Sequence, residues 1–233
     1  MKRAILLGFV GLCVCFYISP IGNQNPISAF AADPPKNGSP LSLEDVMAGV
    51  EKRYSATGFS ASFKQNSTIK AMDITDSASG NLTVKRPGKM RWEYEQPESQ
   101  TIITDGKTLW VYKPEDHQVM MGSYPAFFGD GKGASFLSDM KLIREKFNIA
   151  LESVTDNGNP ILKLIPQKKE VDISKVYLLI SHKTFDILQI TTYNTDEDET
   201  QIMLSDTRFH HQIDDRLFQF DIQDNIDVLQ LDE

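Results

Sequence analysis

The chain has 233 residues, 40% of them apolar and 24% charged, with 24 Lys and Arg against 32 Asp and Glu for a formal charge of −8. That length is ample for the hydrophobic core of one domain, or at most two, while the surplus of acid argues against a nucleic-acid binder and the composition excludes a disordered or low-complexity chain. Both cysteines, Cys13 and Cys15, lie near the N-terminus, so the body of the chain has no disulfide framework, Cys-based zinc site or Cys nucleophile.

Residues 1–31 read as an export signal. Lys2 and Arg3 precede an apolar run from Ala4 to Ile18, no charge follows until Asp33, and Ala29-Phe30-Ala31 places small residues where a signal peptidase reads them. The expected cut falls after Ala31, which makes the product an exported, soluble protein. The alternative is an uncleaved anchor, although about fifteen apolar residues are short for a membrane span. Leu12 and Val14 precede the two cysteines, so neither sits after the small residue that lipoprotein processing needs. Residues 32–41, rich in Pro and Gly, read as a flexible mature N-terminus, and residues 42–233 as a single domain.

Ser42 is placed to cap a helix in which Leu43, Val46, Met47, Val50 and Tyr54 recur at helical spacing, with Glu44 and Asp45 in the first turn and Gly58 ending it. From Phe59 the period becomes two. Phe59, Ala61 and Phe63 alternate with polar residues, as do Leu82 and Val84, and then Met90, Trp92 and Tyr94. Asp105-Gly106 between Thr101–Thr104 and Thr108–Tyr112 signals a hairpin. Further strands are predicted at His117–Met121, Ile149–Val154, Ile161–Ile165, Lys175–Ser181, Ile187–Tyr193, Thr200–Leu204 and Leu217–Phe220, punctuated by Asp156–Pro160, Asp196–Glu199 and Asp214-Asp215. About a dozen short strands at regular spacing indicate an antiparallel sandwich or barrel, open or closed.

One stretch interrupts the alternation. Tyr124 to Gly133 holds Pro125, Phe127-Phe128 and three glycines, and Phe136, Leu137, Met140 and Ile143 then fall at helical spacing. Such a segment is either a glycine-hinged lid or a core helix closing the end of a barrel.

Enzyme chemistry is absent from the motifs. There is no His-Glu-x-x-His, Gly-x-Ser-x-Gly, P-loop or dinucleotide fingerprint, and Gly129-Asp-Gly131-Lys-Gly133 lacks the Gly-Lys-Ser/Thr of a phosphate cradle. His210 and His211 are adjacent in a strand and point to opposite faces. Asp196–Glu199 lacks the glycine and distal glutamate of a calcium loop. Glu93 and Glu95 share a strand face, with nothing nearby to raise a carboxyl pKa. The expectation is a protein that is not an enzyme and that has no cofactor or metal. What stands out is 13 Phe, 7 Tyr, 8 Met and 2 Trp. Leu109 and Val111 occupy one face of a strand while Trp110 and Tyr112 occupy the other, so either both faces are covered or one lines an apolar cavity. Met and Phe suit flexible acyl chains; a packed core accounts for each residue taken singly.

These residues also carry a resemblance. Gly80-Asn-Leu-Thr-Val-Lys-Arg-Pro-Gly-Lys-Met-Arg-Trp-Glu-Tyr-Glu-Gln-Pro97 resembles the most recognisable block of the outer-membrane lipoprotein carrier proteins, the LolA family. Phe59-Ser-Ala-Ser-Phe-Lys-Gln65 resembles that family's first strand, Thr104-Asp-Gly-Lys-Thr-Leu-Trp-Val-Tyr-Lys-Pro114 its following hairpin, and Ile213-Asp-Asp-Arg-Leu-Phe-Gln-Phe220 onward to Val228 its closing pattern. The resemblance implies an unclosed, strongly curved antiparallel β-barrel with a few helices over its open side. It implies a monomeric periplasmic chaperone that receives lipoproteins from an inner-membrane ABC transporter, shields their acyl chains in a hydrophobic cavity, and delivers them to an outer-membrane receptor. With it, Phe59, Phe63, Leu82, Val84, Met90 and Trp92 are expected to line the cavity, with Trp92 at a cavity tryptophan of the family. Arg86 matches the arginine that bonds to the lid as a latch, and the helical spacing of Phe136, Leu137, Met140 and Ile143 makes them the expected lid helix. Met90 falls where some members carry Phe, and Gly129–Phe147 matches the family poorly. A sensor on the same half-barrel, or a carrier of another lipid, would need the same apolar cavity.

Overall fold

The computed structural model describes residues 41–123, 135–138, 140–168 and 173–231. The export signal with its cut after Ala31, residues 32–40, the Gly129–Gly133 hinge and the acidic pair Asp232-Glu233 lie outside them.

Among the described residues, twelve strands form one sheet: β1 Gly58–Ile69, β2 Ile74–Lys85, β3 Lys89–Gln96, β4 Gln100–Thr104, β5 Thr108–Lys113, β6 Gln118–Ser123, β7 Phe147–Val154, β8 Pro160–Pro166, β9 Ile173–Ile180, β10 Ile187–Asn194, β11 Glu199–His210 and β12 Asp227–Gln230. Their order is β12-β6-β5-β4-β3-β2-β1-β11-β10-β9-β8-β7, so β7 and β12 stand at opposite ends and the sheet curves without closing. All pairings are antiparallel except β12 on β6. The unclosed barrel implied by the family resemblance is therefore the fold.

The register follows the alternation in the sequence. On the concave face Phe59 pairs with Val84, Val84 with Met90, Leu82 with Trp92, and Trp92 with Ile102. The β2–β3 pair carries a bulge beside Gly80, where a Cβ would sit 1.9 Å from the Glu93 carbonyl oxygen. Only glycine admits that approach.

Helix α1 (Leu43–Arg53) starts as read: Ser42 and Asp45 form a capping box, and hydrogen bonds from Ser42 hold the Asp45 carboxyl below its ordinary range. It ends earlier than Gly58, at Arg53, with Tyr54 as its cap; Gly58 opens β1 instead, because its hydrogen atom faces the Val84 carbonyl where a Cβ would lie 2.0 Å away. The apolar stripe of α1 (Val46, Met47, Val50) faces the concave side. Phe185 lies over Gly49, where an added Cβ would come within 2.3 Å of its ring.

Two further sequence readings need correction. Phe136 and Leu137 sit on a 3-10 turn at Ser135–Ser138, Met140 precedes α2 (Lys141–Lys146), and only Ile143 is within that helix. Helical spacing there marks a common buried face rather than one continuous helix. Leu217–Phe220 is not a strand: Asp215–Phe218 is a 3-10 turn capped by Asp214, whose side chain accepts from the Arg216 N–H. The chain then continues to β12, an element the sequence reading missed.

This C-terminal segment covers the outer face of β3–β6. Phe218 is fully buried, as are Ile103 and Val119 outside the main core, and the Phe220 ring lies 4.9 Å from Tyr112. Lys85 and Lys89 both reach the Asp215 carboxylate, at 2.8 and 2.6 Å, and Arg91 donates to the Leu217 carbonyl. The double-sided apolarity of β5 is thereby explained, with the helices on the concave side and this strap on the convex one.

Candidate functional site

The concave face is built from strand residues facing one way and closed by α1, the 135–138 turn and α2. The residues expected to line a cavity all lie there: Phe59, Leu82, Val84 and Met90 are completely buried, and Phe63 and Trp92 nearly so. Phe136, Leu137, Met140 and Ile143 are buried in the same cluster. The structure thus brings the strand set and the lid set into one apolar body, with the lid residues occupying the concavity.

Aromatic rings organise its two ends. Near α1, Tyr54 meets Phe59 edge-on at 5.3 Å and Phe209 at 5.1 Å. The Tyr54 hydroxyl accepts the Ile187 N–H at 3.0 Å, and burial pushes its phenol well above the ordinary range. Farther along the sheet, Phe63 meets Trp92 at 5.0 Å and Tyr94 at 4.9 Å. Burial falls off in that direction. Along β3, Met90 and Trp92 are buried, Tyr94 is half-buried and Gln96 exposed; along β1, Phe59 and Phe63 are buried and Gln65 half-buried.

Arg86 follows β2 and continues its inner face. Its Nη1 donates to the Ala56 carbonyl at 2.6 Å and its Nη2 to the Leu137 carbonyl at 3.4 Å. The guanidinium carbon sits 5.6 Å from the Tyr54 ring and 5.9 Å from Phe59. A cation at the margin of an apolar interior needs several acceptors, and the planar fork supplies the geometry. Arg86 therefore links the α1–β1 connection to the turn that fills the concavity.

The sequence reading missed the clamp between the helices. Arg144 on α2 bonds the Glu44 carboxylate at 2.8 Å and also pairs with Glu51, both on α1, and these acids hold its guanidinium firmly protonated. Glu44 and Glu51 sit two turns apart on one helix face, a spacing readable from sequence once α1 is accepted. Their partner lies about a hundred residues away and was not readable.

Among the described residues, no group of three His, Cys, Asp or Glu is placed to hold a metal ion, and no helix is long and apolar enough to cross a membrane. A separate trough of about 350 Å³ on the convex face, between Ile161, Tyr177, Leu179 and Tyr193, shares no residue with the concave site. There the Tyr193 hydroxyl donates to Glu199 at 2.5 Å, which raises its pKa to about 12.

The site is thus the apolar concave face of a curved open sheet, filled by a short turn and the start of α2. Residues 54–221 match the family described as outer membrane lipoprotein carrier protein LolA, and the chain belongs to that family, whose members are carriers and not enzymes. It is 29% identical over 174 residues to the outer-membrane lipoprotein carrier protein of Nitrosomonas europaea, covering 75% of this chain and 83% of that one. With the protein of the same description from Chromobacterium violaceum it shares 30% identity over 171 residues, 73% of this chain and 80% of the relative. In fold it is similar to the crystal structure of an uncharacterised conserved protein from Thermus thermophilus, with a TM-score of 0.52, 12% identity, and coverage of 81% and 98% of the two chains.

Proposed function

We propose that the protein is a periplasmic lipoprotein carrier that holds the acyl chains of its cargo against the concave face. It takes cargo released by an inner-membrane ABC transporter and delivers it to an outer-membrane receptor, working as a monomer. The observation that carries this reading is the concave face itself: Leu82, Val84, Met90, Trp92 and Ile102 form a continuous apolar surface, in a chain belonging to a family of lipoprotein carriers. The relatives named above are described as such carriers.

The physics of the task fits the site. Each methylene removed from water is worth about 0.8 kcal/mol, so an acylated protein cannot cross an aqueous compartment without cover. The same arithmetic would make a perfectly matched cavity irreversible. Here Phe136, Leu137, Met140 and Ile143 occupy the concavity, so acyl chains must displace them, and that displacement offsets part of the binding energy. Arg86, bonded to Leu137, then biases the choice between plug and cargo.

The test is direct. Protein purified from the periplasm is analysed by mass spectrometry for co-purifying molecules, and its apolar-dye fluorescence is titrated with a triacylated lipoprotein. Acylated lipoproteins in the first experiment and dye displacement in the second are expected. A folded protein that binds neither dye nor lipoprotein refutes the carrier reading; a different lipid co-purifying alone redirects it.

A further inference from the structure

On the concave face, Trp92 carries a polar atom that its described surroundings leave unanswered. Trp92 is 4% exposed, and its indole Nε1–H is buried without a hydrogen-bond partner among the described residues. A buried tryptophan ordinarily finds an acceptor for this proton, and an unpaired buried donor carries its full desolvation cost. The residues packed on it are apolar: Leu82 and Ile102 flank it across the sheet, and Phe63 meets its ring edge-on. Phenylalanine would fill this position without the cost.

The position of this donor is informative. Toward α1 the interior is dry, with Met90, Val84 and Phe59 fully buried. One residue pair farther along β3, Tyr94 Oη donates to Gln65 Oε1 at 3.1 Å, and Gln65 Nε2 donates to Ser67 at 3.1 Å. Those polar groups are already paired with one another. Trp92 therefore stands at the boundary between the dry end and the half-buried polar end, with a donor to spare. An acylated ligand has the same layout, with an alkyl chain, then a carbonyl, then a polar headgroup. The indole N–H is a donor only, so it selects an acceptor and offers nothing to a ligand hydroxyl or ammonium proton.

We propose that Trp92 Nε1–H is the docking point for an acyl carbonyl oxygen, ester or amide, of a ligand whose alkyl chain runs toward Met90 and whose headgroup lies toward Tyr94. This assignment rests on the carrier reading above and adds to it a polar anchor that fixes the depth and direction of the chain. A neutral hydrogen bond of this kind discriminates by about 3- to 10-fold in affinity.

The test compares synthetic lipopeptides of equal chain length: one with two ester carbonyls, one with ether links and a single N-acyl amide, and one with neither carbonyl. The wild-type protein is expected to bind the last ligand about 3- to 10-fold more weakly than whichever carbonyl the site takes, and Trp92→Phe is expected to bind all three alike. The first two arms tell ester from amide. Because Trp92→Phe alters packing as well, a second measurement uses the unaltered chain labelled with 15N. Its two tryptophans give two indole N–H signals; the Trp92 signal should move downfield with carbonyl ligands only, while Trp110 serves as the control. Equal affinities for all three lipopeptides with an unmoved Trp92 signal overturn the assignment and leave the carrier reading intact. Failure to bind any of the three overturns both.

Discussion

Arg86→Leu separates the plug from the rest of the fold. The substitution removes the bonds to the Ala56 and Leu137 carbonyls, at 2.6 and 3.4 Å. A bond from a charged donor contributes about 1.5–3 kcal/mol net, but one stretched to the length of the Leu137 contact falls to the lower end or beneath it. Loosening of the 135–138 turn should therefore amount to about 1–2 kcal/mol, which shifts a plugged-to-open equilibrium by about 5- to 30-fold. Cargo then competes against a weaker plug, so loading should persist or strengthen while handover to a receptor falls. Arg86→Lys, with charge but no fork, should lie between the two. The assay loads a triacylated lipoprotein, then adds receptor-containing membranes and measures transfer; amide exchange at residues 135–138 and 140–146 monitors the turn and α2. Normal handover by a folded Arg86→Leu protein, with unaltered exchange in those residues, would refute the assignment of Arg86 as the latch.

Three further perturbations test the framework around the site. Tyr54→Phe leaves the buried Ile187 N–H without its acceptor and should cost about 1–3 kcal/mol in urea unfolding; a wild-type midpoint would show that the backbone finds another partner. Phe218→Ala should cost about 3–5 kcal/mol and raise amide exchange in β12, since Phe218 is fully buried beneath the strap; unaltered β12 protection would show that the strap is held by Asp215 and its lysines instead. The Asp215 carboxyl lies below its ordinary value of 3.8 because Lys85 and then Lys89 donate to it, so its contribution is complete above that value and is lost as pH falls below it. Proteolysis at residues 215–218 should therefore accelerate below about pH 4 in the wild type, and Asp215→Asn should show that faster cleavage already at neutral pH.

Much of the fold was legible because alternation is a short-range signal. Phe59-x-Ala61-x-Phe63 and Met90-x-Trp92-x-Tyr94 must face one way whatever they pair with, and the capping box at Ser42 needs only four residues. The failures share a different cause. Leu217, Phe218 and Phe220 look like strand residues because they are apolar, yet Leu217 is exposed, while Phe218, at the end of a capped turn, and Phe220 just after it pack on the sheet from outside, an arrangement set by Lys85, Lys89 and Tyr112 more than a hundred residues earlier. Strand β12, four residues on a parallel edge, is too short for any period to show. At the site, the apolar lining followed from pattern, whereas Arg144 pairing with Glu44 and Glu51 depended on tertiary placement.

The contacts on the two faces of the sheet bear on whether the proposed plug could move without the sheet coming apart. On the convex side the strap ties β2, β3 and β5 together through the Asp215 lysine pairs, the Arg91–Leu217 bond and the Tyr112–Phe220 contact, and β12 caps the β6 edge. None of these contacts involves the 135–146 stretch. On the concave side α1 carries its own fastenings, Arg53 to Asp186 at 2.7 Å and Tyr54 to Ile187, which also bypass that stretch. Among the contacts of the described residues in 135–146 are apolar packing, the Arg86–Leu137 bond, the exposed Arg144 clamp and, at the far end of α2, the Gln167 N–H donating to the Lys146 carbonyl. Apolar packing is the one of these that acyl chains can replace in kind, and exposed ion pairs contribute little. The Arg86–Leu137 bond is a directional contact to the 135–138 turn that cargo cannot imitate, which is why a change at Arg86 should alter exchange between plug and cargo before it alters the stability of the sheet.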